Sequence, residues 1–252
     1  MKLIEYTINE LAAIKHPCSC GQVHHIGIDH IAIGKGAVEK LPEFLGDQKL
    51  HDGSKLTKED KILIVADVNT WKAAGERVFE MVQTAGYPVE SYVYPYTQMH
   101  TEEGHIKELE NAFPEGIKLI IAVGSGTMND ISRYISFHKD MPYYIVGTAP
   151  SMDGYASDVS PVIIDNLKRS LPAHCASGII GDTDILATAP EKMIAAGVGD
   201  IMAKFLDIND WRMSHILNGE DYCEEVAELM LYSAEKTVNN IEGLKKRESQ
   251  AL

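Results

Sequence analysis

Cysteine is scarce in this sequence, with four in 252 residues: Cys18, Cys20, Cys175 and Cys223. Only the first two are close together, so the pattern is not that of an exported disulfide scaffold, and a cytoplasmic protein with free thiols is expected. Long apolar runs are missing too. No stretch of eighteen or more hydrophobic residues occurs, which argues against a membrane span. The first residues, MKLIEYTINELAAI, carry Glu5 and Glu10 among the hydrophobics and do not read as a secretory leader. Positive charge is in short supply: 23 Lys and Arg stand against 37 Asp and Glu, a net charge of −14. That balance argues against nucleic acid or an anionic membrane as a general partner, because both reward clustered cations. An anionic small substrate stays open, since it responds to the field of one pocket. Repeats and low-complexity segments are absent. What remains is an ordinary globular composition, 45% hydrophobic and 24% charged, long enough for one large domain or for one domain and part of another.

Up to about residue 165, short apolar runs alternate with amphipathic stretches. Residues 31–33, 62–65, 91–94, 119–123 and 143–146 have the bounded, β-type apolar character of buried parallel strands. Residues 71–85 and 102–112 read as helices, the first opening after Asn69-Thr70 and the second after Thr101, with Glu102 and Glu103 in its first turn. Strands alternating with helices predict a Rossmann-like α/β fold, a parallel sheet that binds ligands beyond the carboxyl ends of its strands. From Glu191 only helical pattern follows, over 193–215 and 222–246, with Asn218-Gly219 between them. The expected organisation is a dinucleotide-binding α/β domain over 1–189, then the start of an all-α domain over 190–252. The last helix shows no Gly or Pro stop after Lys246, which reads as a chain cut inside an unfinished domain.

Three segments carry the chemistry. In Ile120-Ile121-Ala122-Val123-Gly124-Ser125-Gly126-Thr127-Met128-Asn129-Asp130 an apolar strand enters a glycine turn and then a helix. Glycine lets backbone approach a ligand, and a helix start offers free N–H groups to phosphate; a plain strand–helix turn would look the same. Gly147-Thr148-Ala149-Pro150-Ser151-Met152-Asp153-Gly154-Tyr155-Ala156-Ser157 follows a strand with a polar loop, either a ligand loop or a turn held by its own hydroxyls. In Ala195-Ala196-Gly197-Val198-Gly199-Asp200 two glycines near a helix start suggest close approach of something. Asp200 stands there as a lone acid, a ligand or a capped or paired side chain. Lys204, one turn on, either meets a substrate phosphate or pairs with Asp200 at i,i+4. Finally, Cys18-Ser19-Cys20-Gly21-Gln22-Val23-His24-His25 looks like half of a zinc site. With Cys175 and Cys223 isolated in sequence, a surface hairpin is the preferred reading.

Taken in order, VGSGTMND, GTAPSMDGYAS and IAAGVGD with Trp211-Arg212 resemble the bacterial sn-glycerol-1-phosphate dehydrogenases. These belong with the glycerol dehydrogenases, iron-type alcohol dehydrogenases and dehydroquinate synthases, which also share the segment Ile31-Ala32-Ile33-Gly34-Lys35-Gly36-Ala37-Val38-Glu39-Lys40-Leu41. The resemblance runs the length of the chain. It implies that Gly126, Thr127, Met128, Asn129 and Asp130 hold the pyrophosphate of NAD(H) or NADP(H), and that Thr148, Ala149, Pro150 and Ser151, with Ser157 beyond, lie on the nicotinamide side. Asp67 matches an acid at the adenosine ribose, where a carboxylate favours the free 2′-hydroxyl of NADH over a 2′-phosphate. Asp153 matches a substrate-binding aspartate. Asp200 matches an aspartate that touches substrate and ligates a divalent metal (nickel, zinc or iron), a Lewis acid on the ketone of dihydroxyacetone phosphate.

The resemblance breaks at the metal. The family completes its site with histidines further along, whereas His215 is the last histidine here, roughly 22 Å from Asp200 along a continuous helix. The chain alone is therefore expected to bind nucleotide weakly and turn over little. Alternatives are a glycerol dehydrogenase or dehydroquinate-synthase-like enzyme, or a non-catalytic nucleotide-binding fragment. The expected partner is a phosphorylated polyol or ketone, and a homodimer is the assembly to consider.

Overall fold

The computed structural model describes residues 2–252. Its centre is a six-stranded, wholly parallel sheet of β3 (His30–Gly34), β4 (Lys61–Asp67), β5 (Val89–Tyr94), β6 (Ile117–Gly124), β7 (Tyr143–Gly147) and β10 (Gly178–Asp182), in the spatial order β3-β10-β7-β6-β4-β5. The five apolar runs of the sequence are all strands of this sheet. β4 is KILIVAD and β6 is IKLIIAVG because both faces of the sheet are covered, so alternation with polar residues would bury unpaired charge. Ile62, Ile64, Ala66, Leu119, Ile121 and Val123 pack with α2 (Leu41–Asp47) and α4 (Glu76–Thr84) on one face. Leu63, Val65, Ile120, Ala122, Tyr143 and Ile145 pack with α5 (Glu103–Ala112) and α6 (Gly126–His138) on the other.

The chain runs from β4 outward to β5 and from β6 in the opposite direction to β7. The order therefore reverses between β4 and β6, where the connections leave on opposite faces and a crevice opens at the carboxyl edge. Asp67, Gly124, Gly147, Asp182 and Gly34 all end strands at that edge.

Several elements differ from the sequence reading. The helix expected over 71–85 begins with the short turn α3 (Val68–Thr70) and a π-helical turn, Trp71–Gly75, before α4. The cap is Asp67, whose carboxylate accepts from Asn69 N and Thr70 N, rather than Asn69-Thr70. β10 went unforeseen although it sits between β3 and β7, because its Gly178 and Gly181 break the apolar run. A side chain at Gly178 would meet the Tyr144 ring, so glycine there is a packing requirement. An antiparallel hairpin, β8 (Val159–Ile164) with β9 (Leu167–Pro172), was also missed. Buried Asp182 at the end of β10 accepts from Gly36 N (3.1 Å), Val38 N (3.2 Å) and Asp184 N (3.0 Å), and so clasps the Gly34–Leu41 segment to the sheet edge.

Beyond the sheet, α7 (Thr183–Leu186) leads to α8 (Glu191–Asn218), ended by Gly219 in the left-handed region at φ 70°. The single helix expected over 222–246 is two, α9 (Glu224–Asn239) and α10 (Ile241–Lys245), broken at Asn240. α10 does have a stop: Arg247 takes φ 58° and Glu248 N donates to Gly243 O at 2.9 Å, a left-handed cap without glycine. The following Ala251 and Leu252 fold back onto Ala149, Ala189, Ile194 and Leu244. Before the sheet lie α1 (Ile8–Ala13) and a two-residue hairpin, β1 (His16–Pro17) with β2 (Val23–His24). Among the described residues no helix is long and apolar enough to cross a membrane.

Candidate functional site

The glycine turn opens the crevice. Gly124 ends β6, and a side chain there would overlap that of Met128; the same position lies 3.6 Å from Thr70 Cγ2, so the β4 and β6 turns are neighbours. Gly126 begins α6, where an added Cβ would meet only Met152 Cγ, at 3.6 Å. Ser125, the N-cap, makes no side-chain capping bond, which leaves the first turn of a 13-residue helix with uncapped N–H groups at the crevice. Thr127 Oγ1 reaches Met99 O at 3.4 Å, and Met128 is buried beneath the turn. Asp67 spends Oδ1 on Asn69 N (2.7 Å) and Thr70 N (2.9 Å), while Oδ2 has no bond among the described residues and can accept from a ribose hydroxyl.

Asn129 and Asp130, read as cofactor contacts, turn the other way. Asn129 is fully buried, with Nδ2 donating to Gly154 O (3.4 Å) and Oδ1 accepting from Tyr143 OH (3.3 Å). Asp130 pairs with Arg133 at 2.9 Å. Arg133 is the residue that sequence reasoning missed. It is 1% exposed, and besides Asp130 it donates to Tyr143 OH (2.9 Å), Val159 O (2.9 Å), Gly154 O (2.6 Å) and Tyr155 O (3.4 Å). One guanidinium thus holds the polar loop to α6, using the many fixed donors that lysine lacks. Burial pushes the Asp130 carboxyl up to about 6, against the pull of Arg133. The only sequence signal was an i,i+3 Asp–Arg pair on a helix, which usually marks a solvated face.

The polar loop is seated on the glycine turn. Thr148 N donates to Gly124 O at 2.9 Å; Ser125 Oγ donates to Ala149 O at 3.3 Å and is hydrogen-bonded to the Ser151 hydroxyl. Tyr155 OH donates to Ala149 O at 2.6 Å, and burial raises its phenol to about 12, so it stays a neutral donor. Thr148, Ala149, Pro150 and Ser151 therefore lie beside the crevice. Ser157 instead bonds Val159 within its own turn, at 3.1 Å in both directions.

α8 approaches the same loop. A side chain at Gly197 would overlap the Pro150 carbonyl oxygen, so the close approach predicted from that glycine is by the polar loop. One turn on, Asp200 Oδ2 accepts from the backbone N–H of Asp153 at 2.9 Å. Lys204 does not pair with Asp200 as the i,i+4 reading had it: its Nζ lies 2.8 Å from Asp153 Oδ2 and 3.2 Å from Asp207. The reason is that Asp200 is aimed at the loop backbone, and Asp153 brings its carboxylate over the lysine. α8 is continuous from Asp200 to His215, as the distance argument assumed, and His215 Nδ1 is engaged by Glu220 O at 2.5 Å. A cavity of about 450 Å³ beside Asp153 is lined mainly by apolar groups such as Ile31, Ile33, Pro150, Met152 and Ile194.

Comparison with known proteins places the chain in a family. Residues 32–190 match the family model described as iron-containing alcohol dehydrogenase. A glycerol-1-phosphate dehydrogenase [NAD(P)+] of Halalkalibacterium halodurans is 31% identical over 228 residues, 88% of this chain and 55% of the relative. Another from Pyrococcus horikoshii is 32% identical over 84% of this chain and 58% of its own length. This chain spans about half the length of the curated relatives it matches. A butanol dehydrogenase structure from Thermotoga maritima superposes with a TM-score of 0.67 at 15% identity, over 91% of this chain and 60% of that one. A glycerol dehydrogenase structure from Schizosaccharomyces pombe gives 0.65 at 19%, over 86% and 52%. At such identities the structures speak for the fold alone, but the family match takes in both the glycine turn and the polar loop, and the chain belongs to the iron-containing alcohol dehydrogenase family.

Proposed function

We propose that this chain is the nucleotide-binding part, with the first helices of the substrate part, of an NAD(P)-dependent sn-glycerol-1-phosphate dehydrogenase that reduces dihydroxyacetone phosphate. The observation that carries the proposal is the 2.9 Å bond from Asp153 N to Asp200 Oδ2. It locks the two acids expected at the substrate together, on a loop whose other residues bond to the glycine turn.

The residues fit a dinucleotide. The open Gly126, the uncapped first turn of α6 and the unspent oxygen of Asp67 supply space, donors for a pyrophosphate and an acceptor for a ribose. When bound, the reduced nicotinamide supplies hydride. The chain's own part is to orient: Gly126 and its helix end place the phosphates, and Thr148–Ser151 wall the ring. Asp67 at the ribose favours NADH over NADPH.

The residues described here do not fit a catalytic divalent metal by themselves. Such an ion takes three protein ligands, whereas Asp200 is a single carboxylate with one oxygen already bonded to backbone and belongs to no metal-ligand cluster among the described residues. No step is assigned to a metal on this chain. The test is NADH binding by fluorescence together with NADH oxidation in the presence of dihydroxyacetone phosphate and added nickel or zinc. Binding with little turnover supports the reading, and release of inorganic phosphate without net NADH change would replace it with synthase chemistry. Failure to bind NADH would remove it.

A further inference from the structure

The fold adds a fourth ligand to the Cys18–Cys20–His24 group of the N-terminal hairpin. Cys18, Cys20 and His24 come from the β1–β2 hairpin, and Cys223 comes from the start of α9, about two hundred residues later. Their ligand atoms all lie within 4.8 Å of one another. Cys18 Sγ is 3.4 Å from Cys223 Sγ, Cys223 Sγ is 3.3 Å from His24 Nε2, and Cys20 Sγ is 3.5 Å from His24 Nε2. A tetrahedron with zinc–sulfur bonds of about 2.3 Å has sulfur–sulfur edges of roughly 3.8 Å. The three short edges therefore need to open by no more than a few tenths of an ångström, and the remaining ones, all within 4.8 Å, to settle to the same length, to take an ion.

We propose that Cys18, Cys20, His24 and Cys223 form a closed, structural zinc site that staples the N-terminal hairpin to α9. Three thiolates and an imidazole are the soft, tetrahedral set that selects zinc over the hard cations. Four protein ligands leave no open position, so the site has no catalytic vacancy. The local backbone suits it: Gly21 at φ 87° turns the chain between the two hairpin cysteines and His24, and Cys18 N donates to Gln22 O at 2.9 Å. Cys223 is the N-cap residue of a 16-residue helix, so its position is fixed by the start of α9. Glu225 stands in the outer shell, one oxygen 3.3 Å from Cys18 Sγ and the other 2.8 Å from His16 Nε2. Its neighbours carry the order onward: Tyr222 OH accepts from Arg212 on α8 at 2.7 Å and Trp211 donates to Asp221 O at 2.8 Å. An ion here would thus fix the α8–α9 pair without touching Asp200. The proposal is independent of the reading of the crevice.

The experiment is a cobalt(II) titration of the reduced, metal-free protein, followed by displacement with zinc. The expected result is one ion per chain, with the visible bands of tetrahedral cobalt and thiolate-to-cobalt charge transfer, both abolished by zinc. Cys20→Ser and Cys223→Ser should weaken zinc binding by more than about 100-fold, beyond the usual cost of losing an outer-shell partner. Cys175→Ser and Asp200→Asn should leave the bands intact, which separates this site from the crevice. Should the serine variants fold poorly, His24→Cys supplies a fourth thiolate and should retain zinc with stronger charge transfer. Reduced wild-type protein without thiolate–cobalt bands would overturn the proposal. So would a stable Cys18–Cys223 disulfide in the protein as purified, or bands that survive Cys223→Ser.

Discussion

The two ends of the site differ in how they are made. The proposed nucleotide end is built almost wholly from backbone: a glycine turn, a helix start and a carbonyl-bonded loop at the point where the strand order reverses. The proposed substrate end is built from side chains, Asp153, Asp200 and Lys204, which reach each other only because α8 presses Gly197 against Pro150. A backbone site is complete once its turn has folded. A side-chain site needs every contributing element, and the acids here lack further metal ligands among the described residues.

The prop between the ends gives the largest predicted effect. Arg133→Met leaves Asp130 largely buried without its partner and removes four further donated bonds, to Tyr143 OH and to the Val159, Gly154 and Tyr155 carbonyls, which should cost about 3–5 kcal/mol in urea unfolding. Adding Asp130→Leu should recover part of that loss. A next, smaller effect isolates the helix contact: Gly197→Ala should cost about 1–3 kcal/mol by overpacking and loosen Asp200 from Asp153, while NADH affinity changes little. The converse variant is Gly126→Val. Its Cβ meets only Met152 Cγ, at an ordinary contact distance of 3.6 Å, so stability should hold within about 1 kcal/mol. NADH affinity should fall about 10- to 100-fold, the equivalent of losing one charge-assisted hydrogen bond. Both effects are read from one calorimetric and one fluorescence series. The smallest effect lies off the site. Burial holds the His174 imidazole down at about 4, from an ordinary 6.5, with its Nε2 2.9 Å from Ser136 Oγ on α6. A lowered folded-state value makes its contribution present above 6.5 and lost as pH falls toward 4. The thermal midpoint should therefore drop across that window, and His174→Gln should flatten the slope.

What was legible follows the same division. β4, β6 and β7 could be read because doubly covered strands are continuous apolar runs, and the glycine turn because backbone sites demand glycine. β10 could not, since Gly178 exists to make room for Tyr144, a contact invisible without the fold. Arg133 has the sequence pattern of a surface charge, and helix spacing pairs Lys204 with Asp200 because it ignores Asp153, which the loop brings over. Cys223 stands alone in the sequence, and only the packing of α9 on the N-terminal residues brings it to the hairpin. The capping turn at Arg247 uses a left-handed non-glycine residue and offered no sequence signal.

The most direct test of this division is NADH titration of the wild type beside Gly126→Val and Asp200→Ala. The account predicts one NADH per wild-type chain, strong loss in Gly126→Val and near-unchanged affinity in Asp200→Ala. Binding that survives Gly126→Val but disappears in Asp200→Ala would contradict it and move the nucleotide away from the β4–β6 crevice.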